Sequence, residues 1–325
     1  MQQQPVSKLL PSEKFDGFLL VRSAEQRFDS KGKKYLDMNL ADRTGEINCK
    51  RWDENAMVPA QGSIVWVTGS VQEFKGRIQM KIDSMHLRTP IETVDYSMLI
   101  PCAPEKPEAM LQEIEDTIAS FQSEDLKKIV RRMLQMTREK LLYYPAAMRM
   151  HHAEKSGLLH HTTDMLHTAF QILRCYPFLN RDLLLAGVIV HDLAKTVEMQ
   201  SDAYGNVSDY TKDGLLIGHL VRGVAMLNDA AREENVQGEY VQLLEHMMIS
   251  HHGIPEYGSP KYPMFPEAEV LHWIDLLDAR MNEMKAIEDR TPPGAFSEKI
   301  MSLDGRRMYH PLYEENNNSK NSEAN

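Results

Sequence analysis

The chain has no apolar run long enough to span a bilayer, and its N-terminus, MQQQPVSKLLPSEK, lacks the apolar core of a secretory signal. Both absences point to a cytoplasmic protein with no membrane partner. Cysteine is scarce. Cys49, Cys102 and Cys175 are odd in number and far apart, which argues against a disulfide framework or a cysteine-based metal site and fits a reducing compartment. Net positive charge is missing as well: 37 Lys and Arg against 47 Asp and Glu leave −10, which argues against general attraction to nucleic acid but not against a local basic groove. No internal repeat is visible. Histidine is almost absent from the first half, where only His86 of 13 precedes residue 150.

What the first half does contain is alternation. FDGFLLVRSAEQRF, KKYLDMNLADRTG, GEINCKRWD, GSIVWVTGSVQEF and GRIQMKIDSMHLR read as five short strands. Turns fall at Ser30–Gly32, Asp42–Gly45 and Phe74–Gly76, and ENAMVPAQ makes one longer crossing. Five antiparallel strands with one long connection suit an OB-type barrel over residues 12–90, with a small β-sandwich as the alternative. Parity places Leu36, Met38, Leu40, Ile47, Cys49, Ile78, Met80 and Ile82 inside. It turns Tyr35, Asn39, Asn48, Lys50, Trp52, Arg77, Gln79 and Lys81 outward. Rings and cations on one face, with Phe74 and Lys75 at the last turn, offer base stacking and phosphate contacts to a single strand. The competing reading has Trp52 capping the barrel and the charges serving solubility.

Residues 91–108 hold several prolines without a period and read as a linker. From 109 to 313 the chain turns helical. Met110, Leu111, Ile114, Ile118 and Phe121 mark one amphipathic helix. Leu126, Ile129, Val130 and Met133 mark another, N-capped by Ser123. Further helices are expected over 157–175, 181–199, 214–230, 237–250, 266–288 and 296–302. Residues 314–325 are polar and read as a disordered tail.

Six segments of this half place histidines or acids beside or within apolar helices: MRMHHAEKSG, GLLHHTTDML, VIVHDLAK, LLIGHLVRG, LLEHMMISHHG and LHWIDLLDAR. One buried histidine is ordinary, but this many inward placements are hard to explain as packing. Imidazoles and carboxylates projecting from several helices can assemble a site for divalent ions such as Mn²⁺, Fe²⁺ or Zn²⁺.

The ordered set His161, His191–Asp192 and Asp275 resembles the HD superfamily of metal-dependent phosphohydrolases. Over residues 12–313 the chain resembles the YhaM family of 3′→5′ exoribonucleases, through DRTGEINCKRWD, FKGRIQMKI, YPAAMRMHHAEKSGLLHH, VIVHDLAK, GLLIGHL, SHHGIPEYGSPK and VLHWIDLLDARMN. The resemblance implies that His161, His191, Asp192 and Asp275 are metal ligands, with Asp278 a lesser choice for the last. It implies that His219, His251 and His252 hold a second ion and that Asp192 bridges the two. Mn²⁺ is the favoured metal, with Fe²⁺, Co²⁺ or Zn²⁺ as alternatives. Lys195 would face the scissile phosphate, with Arg222 a weaker candidate, or else be a solvated lysine at a helix end. Tyr257 and Lys261, in the Gly/Pro-rich loop, could contact the nucleotide. His151, His152 and His160 receive no role beyond packing. The implied activity is hydrolysis of single-stranded RNA from its 3′ end, with single-stranded DNA a second candidate and homo-oligomerisation open. The competing activity is hydrolysis of a nucleotide or cyclic dinucleotide, with the barrel serving assembly. An RNA-binding protein with no enzymatic centre fits the ligand set poorly.

Overall fold

The computed structural model describes residues 3–312 apart from 54–55, 75, 149–151, 203 and 206, together with the side chains of all these except 208 and 257. Lys75, His151 and the tail 314–325 therefore lie outside the described residues, as does the Tyr257 side chain.

The N-terminal strands β1 (Lys14–Phe28), β2 (Lys34–Asp42), β3 (Gly45–Arg51), β4 (Ile64–Phe74) and β5 (Arg77–Leu87) form a closed barrel in the order β1-β2-β3-β5-β4. Closure depends on the length of β1. Its first half pairs with β4, and its second half, beyond an irregularity at Val21–Ser23, pairs with β2. A short parallel pairing of β3 with β5 completes the ring. Leu19, Leu36, Met38, Leu40, Cys49, Val67 and Met80 fill the interior, as alternation requires.

One expected parity fails. Ile78 is exposed and Gln79 is buried. The β4–β5 hairpin overshoots the barrel, so Ile78, paired with Glu73, has no core to face. Gln79 is flanked by Gln72 on one side and Asn48 on the other.

Residues 91–108 are not a free linker. Val94, Leu99 and Ile100 are buried against Leu20 and Ile64 of the barrel. On the other side Cys102 bridges to Lys155, whose ammonium lies 4.2 Å from the Tyr96 ring centre.

The helical part runs α1 (Pro107–Ala119), α2 (Glu124–Leu141), α3 (Gly157–Cys175), α4 (Arg181–Val190), α5 (Lys195–Glu198), α6 (Lys212–Leu216), α7 (Gly218–Glu233), α8 (Glu239–Ser250) and α9 (Pro266–Arg290). A hairpin, β6 (Met199–Ser201) with β7 (Val207–Tyr210), interrupts it between α5 and α6. Ser123 caps α2 by accepting from the Leu126 amide. The buried helix α4 lies centrally, packed against α1, α2, α3, α8 and α9. Gly187 lets α8 pack close, since a Cβ there would come within 2.2 Å of the Met247 methyl and push that side chain aside.

Three expected helices differ. The one expected over 181–199 stops at Val190, because the His191 ring turns back onto the Val188 carbonyl at 2.8 Å and the chain tightens through residues 191–194. The one expected over 214–230 is divided at Gly218, whose positive φ of 77° only glycine adopts easily. Residues 296–302 form bridges to Arg306 and Tyr309 and a single 3₁₀ turn, with Ile300 and Leu303 packed on Ile287. No helix among the described residues is long and apolar enough to cross a membrane.

Candidate metal centre

Helix ends deliver most of the site. His191 and Asp192 follow α4, His251 and His252 follow α8, and His219 opens α7 just after the Gly218 turn. His161 stands in the second turn of α3, and Asp275 and Asp278 share a face of α9 at i, i+3 spacing. His161, His191, Asp192 and His251 are at most 2% exposed.

The side chains converge on Asp192 from two directions. Its Oδ2 lies 3.3 Å from His191 Nε2 and 3.8 Å from His161 Nε2, which is itself 3.3 Å from Asp275 Oδ1. Its Oδ1 lies 3.5 Å from His219 Nε2 and 3.7 Å from His251 Nε2. The His252 ring centre is 4.4 Å from that of His251 and 5.1 Å from that of His219. The ligand-type atoms of His161, His191 and Asp192 form one compact group and those of His219, His251 and His252 another.

The partners of the opposite ring nitrogens decide what each imidazole presents. His191 Nδ1 donates to Val188 O and His251 Nδ1 donates to Met248 O, both at 2.8 Å. A carbonyl can only accept, so the Nδ1 atoms carry the protons and the Nε2 lone pairs point at Asp192. Glu198 does the same for His219 at 2.9 Å, and Asp278 accepts from His161 Nδ1 at 2.6 Å. Lone pairs facing a carboxylate repel unless a cation lies between them. His191 Nε2, Asp192 Oδ1, His219 Nε2 and His251 Nε2 are all buried without a hydrogen-bond partner. Leaving a buried polar atom unpaired costs about 1–3 kcal/mol, so three imidazole nitrogens and one oxygen of the Asp192 carboxylate fit a site built for divalent ions. Carboxylates and carbonyls behind the imidazoles are also how metal-binding histidines are commonly oriented.

The electrostatics follow from the same contacts. Burial alone would raise Asp192, but the Lys195 ammonium holds its carboxyl well below the usual range. Asp275 is likewise held low by His161, His191 and His251 despite burial. Burial pushes His251 down to about 3 and lowers His252, so both stay neutral donors at pH 7. His161 goes the other way, up to about 10, because Asp275 and Asp278 outweigh its burial.

Two expected cations are otherwise engaged. Lys195 Nζ lies 2.6 Å from Asp192 Oδ2 with its side chain 12% exposed, so its charge is committed to the cluster and is not turned to solvent. Arg222 is bound by both oxygens of Asp213. Lys261 is exposed on its loop. Glu198, seven residues after His191, is not marked by spacing, because the helix breaks between them and α5 brings it back to His219.

On the barrel, Tyr35 and Trp52 stack with centres 4.7 Å apart, and Lys50 Nζ lies 5.2 Å from the Tyr35 ring centre. Lys81 stands beside Lys50 in the β3–β5 register. Phe74 and Arg77 pair across the hairpin tip, where Phe74 is exposed, about 13 Å from Lys81 at the usual strand rise. Trp52 is 40% exposed.

Fold and site together define an OB-type barrel joined to a helical domain of the HD class. An "OB-fold nucleic acid binding domain" family model matches residues 20–88, and an "HD domain" model matches residues 158–280. The chain is 40% identical over 305 residues to the 3'-5' exoribonuclease YhaM of Geobacillus sp. (strain WCH70), covering 93% of each chain. It is 38% identical over 310 residues to the YhaM of Oceanobacillus iheyensis, covering 94% of this chain and 96% of that one. Against the YhaM of Listeria monocytogenes serotype 4b (strain CLIP80459) it is 40% identical over 306 residues, covering 93% and 96%. The chain belongs to the YhaM family.

Proposed function

We propose that this protein is a metal-dependent 3′→5′ exonuclease acting on single-stranded RNA, with single-stranded DNA as a second substrate. The observation that carries the reading is the set of four unpartnered buried polar atoms centred on Asp192. Its relatives are named as exoribonucleases, which supplies the polarity and the polymer.

In this reading His161, His191, Asp192 and Asp275 hold one divalent ion, and Asp192, His219, His251 and His252 hold the other. Mn²⁺ is the ion proposed, with Fe²⁺, Co²⁺ or Zn²⁺ as alternatives that the imidazole ligands also accept. When bound, such ions supply Lewis acidity toward a phosphodiester and make water a usable nucleophile near neutral pH. Val188, Met248, Glu198 and Asp278 keep each imidazole turned to offer its lone pair. Lys195 keeps Asp192 ionised and lends positive charge to the cluster wall. Tyr35, Trp52, Lys50 and Lys81, with Phe74, Lys75 and Arg77 at the hairpin, grip the strand by stacking and phosphate contacts. Residues 12–90 act as the binding domain and 109–313 as the catalytic one, in a cytoplasmic protein that is free to self-associate.

Labelling RNA at either end tests the polarity. A 5′ label should yield a descending ladder and a 3′ label immediate small product. The reverse pattern, or activity confined to cyclic dinucleotides, would overturn the assignment.

A further inference from the structure

The segment leading into α3 carries a second convergence of ligand-type atoms, apart from the groups around Asp192. His152 Nδ1, His160 Nδ1 and Glu154 Oε1 form a triangle with sides of 3.1, 2.7 and 3.7 Å. Each imidazole has its other nitrogen against a carboxylate. His152 Nε2 lies 2.8 Å from Asp278 Oδ2, and His160 Nε2 lies 3.2 Å from Asp164 Oδ2. Asp278 accepts from His152 Nε2 and leaves that ring's Nδ1 lone pair aimed into the triangle, whereas His160 has a carboxylate at each nitrogen, Glu154 nearer than Asp164. Asn282 fixes the arrangement, accepting from the His152 backbone amide at 3.0 Å and placing its Nδ2 3.4 Å from His152 Nδ1.

His160 Nδ1 donates to Glu154 Oε1, and an ion bound among the three side chains would take the place of that proton. Two histidines and one glutamate are a donor set that Zn²⁺ accepts, and ligands at about 2.0–2.1 Å in a tetrahedral shell stand roughly 3.3–3.4 Å apart. The observed sides bracket that spacing. Imidazoles backed by carboxylates are also the usual form of a metal-binding histidine. The site is reachable: the side chains of His160 and Glu154 are 16% and 19% exposed, while His152 closes the inner wall.

We infer that His152, Glu154 and His160 form a third ion site, suited to Zn²⁺, separate from the centre on Asp192. It has a physical link to that centre. Asp278 Oδ2 is shared between His152 Nε2 and His161 Nδ1, so an ion held by His152 braces the carboxylate that orients His161. The inference does not rest on the proposed reaction, because it concerns ion binding alone.

The test counts ions. Full-length protein is stripped with chelator, dialysed against Zn²⁺, and its metal content per chain measured by mass spectrometry. The Asp192→Asn variant should keep one tightly bound Zn²⁺, and adding Glu154→Gln with His160→Gln to it should remove that ion. Glu154→Gln alone, which preserves side-chain shape, covers the case in which the multiple variant does not fold. It should weaken Zn²⁺ binding in the Asp192→Asn background by tenfold or more. Unchanged Zn²⁺ content and affinity in these variants, or no bound Zn²⁺ in Asp192→Asn, would overturn the site and leave a shared proton as the cation of the triangle.

Discussion

Asp278 Oδ2 accepts a hydrogen bond from His161 Nδ1 at 2.6 Å, and this one contact settles which nitrogen His161 turns toward Asp192. An amide in the same place could present its NH₂ instead and favour the other tautomer. Replacing such a supporting carboxylate typically costs about 10–100-fold in metal affinity or activity. Asp278→Asn should therefore weaken Mn²⁺ binding on that scale in a chelator competition, with the helical circular dichroism unchanged. Wild-type affinity would mean that Asp278 only packs.

The proposed polymer-binding face of the barrel consists of the stacked Tyr35–Trp52 pair with the neighbouring Lys50 and Lys81. Losing a stacking platform costs about 1–3 kcal/mol per base. Trp52→Ala with Lys50→Ala should weaken single-stranded RNA binding by roughly tenfold or more. Hydrolysis of a small phosphodiester should be spared. Equal loss on both substrates, measured side by side, would count against the barrel as the grip.

His251 gives a pH signature in metal-stripped protein. Burial holds its folded value at about 3, below the ordinary 6.5. As pH falls, the unfolded chain takes up that proton first. The contribution of the neutral ring is thus complete above about 6.5 and is lost from there down toward 3, at up to about 1.4 kcal/mol per pH unit. The Tm of the wild type should fall more steeply between pH 6.5 and 4 than that of His251→Gln. Parallel slopes would contradict the burial argument.

The barrel was readable because one face of each strand is buried, so a period of two appears in Leu36, Met38 and Leu40. Ile78 misled because parity cannot show that a hairpin overshoots its core. Residues 91–108 read as a linker because prolines hide any period, yet Val94, Leu99 and Ile100 pack on the barrel. The break after Val190 left no mark in a continuous apolar run, since it is made by the His191 ring folding onto a helix carbonyl. Histidines in apolar helices announced a site. Which atoms meet there, and that Glu198 and Asp278 stand behind two of the rings, depends on tertiary packing that spacing alone does not give.

The most direct test removes the metal and the carboxylate that both groups of histidines face. Chelator-stripped wild type and Asp192→Ala are each incubated with 5′-labelled single-stranded RNA, before and after Mn²⁺ is restored, and the products are resolved over time. Wild type should give a ladder shortening from the 3′ end only after Mn²⁺ returns. None should appear with Asp192→Ala, which should bind less Mn²⁺ while remaining helical. Full shortening by Asp192→Ala, or by stripped wild type without added metal, would contradict a catalytic metal centre on Asp192.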